Sequence, residues 1–165
     1  MIEQQQIQKQ LKQLGAIRTS VNNLESDYPH AYWICLDFSD KNDPVVPDVA
    51  VKRCLGWLTH LARKHDAHFA PFISVEPMYT GKRMSVHLIL RSDRYLTRRQ
   101  LRSAWRLGFS YVQDYDKHLN GVEYMFDHHI GQSTFVVCSG KSPCRRNRKG
   151  RVFCTKASHE VLTLQ

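Results

Sequence analysis

The sequence predicts an α+β fold, an antiparallel sheet with helices on one face. Three observations predict it. Apolar runs of strand length alternate with longer amphipathic stretches. Two of the runs, Phe72–Val75 and Val86–Leu90, are separated by a short turn-rich segment, as in a hairpin. No apolar run approaches the roughly 18 residues of a membrane-spanning helix.

Taken in order, residues 1–14 place Ile7, Leu11 and Leu14 at helical spacing, a short amphipathic helix that Gly15 would stop. Residues 16–30, with Asn22, Asn23, Asp27 and Pro29, read as a connector. Ala31–Phe38 (AYWICLDF) is a buried strand by length and composition, and Ser39–Pro44 is a polar loop. Asp48 caps a helix to about His65, whose apolar face is Val51, Leu55, Leu58, Leu61 and Ala62. The hairpin follows. Glu76 ends its first strand, Thr80, Gly81 and Lys82 form its loop, and His87 lies within its second strand.

Asp93–Gly108 reads as the next helix. Thr97 to Gln100 is a capping box, Leu101, Ala104 and Trp105 are the buried face, and Gly108 is the stop. Phe109–Tyr115 alternates as a strand. A loop at Asp116–Lys117 leads to a helix over Val122–Ile130, on which Tyr124, Asp127 and His128 share a face. Thr134–Cys138 is a further strand and Val152–Phe153 a final one. The first six elements are those of the ferredoxin-like (RRM-like) split βαβ unit, with an extra C-terminal helix and strand. Its first and third strands are central, so the run ending at Phe38 should lie beside His87. The chain divides into an N-terminal helix and connector (1–30), the main domain (31–140) and a basic C-terminal arm (141–165).

Composition narrows the function classes. The 165 residues carry 24 Lys and Arg against 15 Asp and Glu, a formal net charge of +9. That excess favours a polyanionic partner, nucleic acid before membrane. Residues 141–151 alone hold six Lys or Arg, namely Lys141, Arg145, Arg146, Arg148, Lys149 and Arg151. With Pro143 and Gly150 they read as an arm or hairpin for phosphate contacts that do not read sequence. Arg98, Arg99, Arg102 and Arg106 form a second basic face, on the helix after the hairpin. The first residues lack the apolar core of a signal peptide. Five cysteines without a dense framework fit a reducing compartment, so a cytoplasmic location is expected.

The candidate chemistry lies on the hairpin. Side chains alternate along a strand, so Ser85 and His87 share a face that Glu76 can reach from its partner strand. A carboxylate, a hydroxyl and an imidazole together suit a divalent metal. Tyr124 on a nearby helix could attack phosphorus, and His128 could ligate the same metal or relay a proton.

These residues, in this order, resemble the His-hydrophobic-His (HUH) endonucleases, in the branch of rolling-circle replication initiator (Rep) proteins of plasmids and phages. YWICLDFSD at 32–40 is similar to that family's first motif, an apolar strand and a polar loop. EPMYTGKRMSVHLIL at 76–90 resembles the second, and YVQDYDKHLNGVEYMFDHH at 111–129 resembles the third, with its nucleophilic Tyr. The likeness covers roughly residues 31–130. It implies a nickase that cuts single-stranded DNA or a DNA hairpin by tyrosine attack, leaving a 5′-phosphotyrosine link, in initiation of rolling-circle replication. Tyr124 would be the nucleophile. Glu76 and His87, with His128 as a third ligand, would hold Mg²⁺ or Mn²⁺. Strand separation would come from a separate helicase. Two positions depart from the pattern: Ser85 stands where the family has its first His, and Asp127 where it has a Lys.

Other readings compete. Ser85 and Asp127 favour a Rep-like domain that binds DNA or RNA, or serves a regulatory role, without cutting. Asp37 with Asp40, and Ser85-Val86-His87, resemble archaeo-eukaryotic primase motifs loosely, but Asp37 and Asp40 do not share a strand face and the chain is short. Cys138, Cys144, Cys154 and His159 are candidate zinc ligands whose spacing matches no compact finger or ribbon. Cys35 and Cys54, on apolar runs, read as core.

Overall fold

Alternation along the first strand determines how the molecule is layered. In β1 (His30–Asp37), Tyr32, Ile34 and Leu36 are buried on one face of the sheet, and Trp33, Cys35 and Asp37 point to the other. The computed structural model describes residues 25–44, 46–77 and 83–127, strands at 134–138, 145–146, 152–153 and 159–163, and scattered positions between 5 and 23.

The element order is β1, α1 (Pro47–His65), β2 (Phe69–Pro77), β3 (Met84–Ser92), α2 (Arg98–Ala104), β4 (Ser110–Asp114), α3 (Gly121–Asp127), β5 (Thr134–Cys138), β6 (Arg145–Arg146), β7 (Val152–Phe153) and β8 (His159–Thr163). The main sheet runs β4-β1-β3-β2-β5-β8. Every pairing in it is antiparallel. Its first four strands have the expected ferredoxin-like order, with β1 and β3 central.

The larger core lies between the sheet and α1 and α2. Ile34, Leu36, Ile73, Val75, Val86, Leu88 and Leu90 pack against Leu58 and Leu61 of α1, and against Leu101 and Trp105 at α2. Trp105 meets Phe38 edge-on at 5.2 Å and Trp57 at 6.0 Å. α1 begins after Val46, not at an Asp48 cap. Pro47 presets the first turn and Asp48 lies within it, where its charge suits the helix dipole. α1 ends at Asp66 in the left-handed region (φ 50°) after Arg63, Lys64 and His65, which favour the carbonyl end.

The second helix is shorter than the expected 93–108. Its capping box is formed: Thr97 accepts from the Gln100 N–H, and Gln100 accepts from the Thr97 N–H. Trp105 already has extended backbone. Gly108 does not stop the helix but lies against β1. A Cβ there would collide with the Asp37 carbonyl oxygen. The Asp37 and Ser39 N–H groups donate to Phe109 and Leu107 carbonyls at 2.9 and 2.8 Å, and Trp105 Nε1 donates to the Asp37 carbonyl. The end of β1 is therefore held from three directions.

The helices are not all on one face. α3 packs on the face opposite α1 and α2, where Val122 and Met125 join Phe72, Ile89, Leu14 and Val21 in a smaller core. Leu14 and Val21 are both helical, as are the described positions Ala16, Arg18, Thr19 and Asn23. Gly15 therefore ends nothing, and much of the expected connector is helix. The reason is burial: Val21 lies seven residues, about two helical turns, beyond Leu14 and finds the same surface. Arg18 pairs with Glu123 of α3 across this layer.

The expected strands at 134–138 and 152–153 are present. β7 pairs with β6, so part of the basic arm is a hairpin. β8 was not expected. It pairs with β5 at the edge of the main sheet, so part of 141–165 belongs to the main sheet. The 80–82 loop and the end of the expected 122–130 helix lie outside the described residues. Among the described residues, no helix is long and apolar enough to cross a membrane.

Candidate functional site

Register builds the site. On the face carrying α3, antiparallel pairing sets Cys35, His87 and Ser74 in one row across β1, β3 and β2. It sets Asp37, Ser85 and Glu76 in the next row. The expected convergence of Glu76, Ser85 and His87 is formed. His87 Nε2 lies 2.8 Å from Glu76 Oε1, and Ser85 Oγ lies 3.5 Å from the same nitrogen. Ser85 Oγ donates to Asp37 Oδ1 at 2.7 Å. On its other side, His87 Nδ1 lies 3.2 Å from Cys35 Sγ.

Burial of the His87 ring opposes its charge. The hydrogen bonds and charges of Cys35 and Glu76 outweigh that and raise its pKa to about 9. Near neutral pH the ring is thus an imidazolium, donating through Nδ1 to sulfur and through Nε2 to carboxylate.

Tyr124 stands across from this row. Its ring is edge-on to His87 at 6.5 Å and to Trp33 at 5.8 Å. It is 45% exposed, in contrast to its helix neighbours Val122 and Met125. Gly121 lets α3 come this close, since a Cβ there would press on the Tyr115 and Trp33 rings. A cavity of about 240 Å³ opens between them, lined by Trp33, Cys35, His87, Gln113 and Tyr124 among others.

The expected residues thus divide into three groups. Glu76, His87 and Tyr124 come together. Arg98, Arg99, Arg102 and Arg106 are exposed on or just after α2, which packs against the opposite face of the sheet, and none lines the His87 cavity. Arg98 pairs with Asp114 at 2.6 Å. His128, Lys141, Arg148, Lys149 and Arg151 lie outside the described residues, as do Cys144 and Cys154. Arg145 and Arg146 form β6, and register sets Cys138 opposite His159.

Three participants were not anticipated. Cys35 was expected in the core with Cys54, yet Cys54 is fully buried and Cys35 only partly so. Asp37 and Trp33 share the Cys35 face. The signal was present: the period of two in AYWICLDF puts Trp33, Cys35 and Asp37 together once Tyr32, Ile34 and Leu36 face inward. Asp40, the other half of the primase-like pair, turns away to Arg83 at 2.5 Å.

The donor set can be tested against a divalent cation. The Glu76 carboxylate suits Mg²⁺ or Mn²⁺, and His87 could add a ring nitrogen beside it only after Nε2 loses the proton it shares with Glu76. The Ser85 hydroxyl is already engaged with Asp37. Among the described residues, no three His, Cys, Asp or Glu side chains converge as a metal group. The residues described therefore fit two ligands and not a complete site.

No family model, no curated protein and no solved structure matches this chain.

Proposed function

We propose that the protein is a Rep-like nickase that breaks single-stranded DNA by tyrosine attack. The observation that carries this reading is Tyr124, exposed on α3 and facing His87, the partner of Glu76, across one cavity. Tyr124 Oη forms a bond to phosphorus as the bond from phosphorus to the 3′ oxygen breaks. The phenol gives up its proton, and the leaving 3′ oxygen takes one up to become a hydroxyl. The products are a 5′-phosphotyrosine link and a free 3′ end. His87, cationic near neutral pH, stabilises negative charge gathering at phosphorus in a partly buried setting. Glu76 orients the imidazole. After loss of the Nε2 proton, His87 would with Glu76 hold Mg²⁺ or Mn²⁺, and the ion would then supply the positive charge to the phosphate in place of the cationic ring. The substrate would be a single strand or a DNA hairpin, opened by a separate helicase.

A second reading is favoured by the Ser85–Asp37 bond: a Rep-like module that binds nucleic acid without cutting it. Incubation with labelled single-stranded DNA and Mn²⁺, run on a denaturing gel, separates the two. The nickase gives a covalent band that Tyr124→Phe abolishes. Native-gel retention with no covalent band, across varied oligonucleotides, leaves only the binding module.

A further inference from the structure

A second cavity, of about 430 Å³, lies where β1 begins and β4 ends. It shares Tyr115 and Asp116 with the Tyr124 cavity, so the two adjoin across one wall. Arg91 lines it while only 3% exposed. Its NH1 donates to the Tyr28 carbonyl at 3.3 Å, and its Nε has no hydrogen-bond partner among the described residues. A buried guanidinium left partly unpaired is expensive and looks for an acceptor.

The acidic groups around it argue against a bare phosphate. Glu25, Asp114 and Asp116 all line this cavity. Glu25 pairs with Lys117, Asp114 with Arg98, and Asp116 accepts from the His118 N–H. Each carboxylate keeps a further oxygen or lone pair able to accept. The cavity thus sets cationic donors beside anionic acceptors, which suits a neutral ring with both functions on one edge. At its rim, Tyr95 is 64% exposed and stands edge-on to His30 at 5.6 Å, leaving an aromatic face for stacking.

We infer that this cavity is a nucleobase subsite for guanine, in the strand whose neighbouring phosphate reaches Tyr124. Guanine carries acceptors at O6 and N7, the usual complement of an arginine, and donors at N1 and N2 that carboxylates accept. Adenine, with a donor where guanine has O6, faces the guanidinium badly. The base is readable because a single strand leaves its pairing edge free. The inference rests on the nickase reading only for the register of the strand and not for the recognition itself.

The test is binding by fluorescence anisotropy, in chelator without metal, of short single-stranded oligonucleotides that differ in one guanine or adenine. Wild-type protein prefers the guanine strand by roughly tenfold, the scale of one well-made base contact. Asp116→Asn keeps an oxygen for the turn but loses the charge, and the preference falls toward parity. Tyr95→Ala weakens both strands together. Both positions are exposed, so folding is retained, as circular dichroism can verify. Equal binding of the two strands, a preference unchanged in Asp116→Asn, or no binding at all overturns the inference. Inorganic phosphate alone competing as well as dGMP also overturns it, in favour of an anion site. A guanine preference without a covalent adduct sinks the nickase reading alone, and an adduct without the preference sinks this subsite alone.

Discussion

His87 is half-buried, cationic and held on both nitrogens, and that combination has a stability consequence. Its pKa is about 9 in the folded protein against an ordinary 6.5. A raised folded pKa stabilises fully below the unfolded value and loses that contribution as pH climbs through the folded one. The window here is therefore 6.5 to about 9. The loss is on the order of 3 kcal/mol. Urea unfolding at about pH 6 and about pH 10, in chelating buffer, should show it. Glu76→Gln removes one of the two partners, so its pH dependence across the window should be visibly flatter. A wild-type curve as flat as the variant's would mean that the ring is neutral in the folded state. Glu76, His87 and Tyr124 could be read from the sequence because each is polar in an apolar or helical setting. Cys35 and Asp37 were legible only in part: the period of two puts them on one face, but an apolar octapeptide suggests burial on both sides and conceals that this face is open. Ser85 looked like a lost ligand. In the structure it instead ties His87's neighbourhood to Asp37.

Among the elements, α3 carries the proposed nucleophile on one side and its anchor on the other. Met125 is fully buried against Phe72 and Ile89, while Tyr124 faces the cavity. The two substitutions should therefore separate. Met125→Ala removes buried volume and should destabilise by about 2–5 kcal/mol. Tyr124→Phe should leave stability within about 0.5 kcal/mol. Chemical denaturation of both variants checks this, and comparable losses would mean that the Tyr124 hydroxyl is structural. The same element shows why some of the fold was hard to read. The described part of α3 spans only seven residues, and its partner surface includes Leu14 and Val21, distant in sequence. Gly121, the first residue of α3, serves close approach, as does Gly108, which the sequence presented as a stop. β8 escaped notice because its apolar pair, Val161 and Leu162, sits among polar residues and finds its meaning only beside β5.

At the scale of the whole molecule, the sheet divides charge from chemistry. The α2 arginines sit on the α1–α2 side, and the His87 and Tyr124 cavity opens on the other. Arg98 is already committed to Asp114, which leaves Arg99, Arg102 and Arg106 exposed and outside the ion pairs among the described residues. With a net charge of +9, these side chains would, on the proposed nickase reading, raise the local concentration of a strand before it finds the site. A strand long enough to pass the β4 edge can meet both faces. Each phosphate neutralised contributes roughly −0.7 to the slope of log K against log salt for a single strand. Replacing Arg99, Arg102 and Arg106 together with Gln should therefore make that slope shallower by about 2 for a long oligonucleotide. For an oligonucleotide too short to round the edge, the slope should stay as it is. Anisotropy titrations over a salt series give both numbers. Equal slopes for wild type and variant on the long strand would confine the nucleic acid to the α3 face, with the basic helix serving only to attract it.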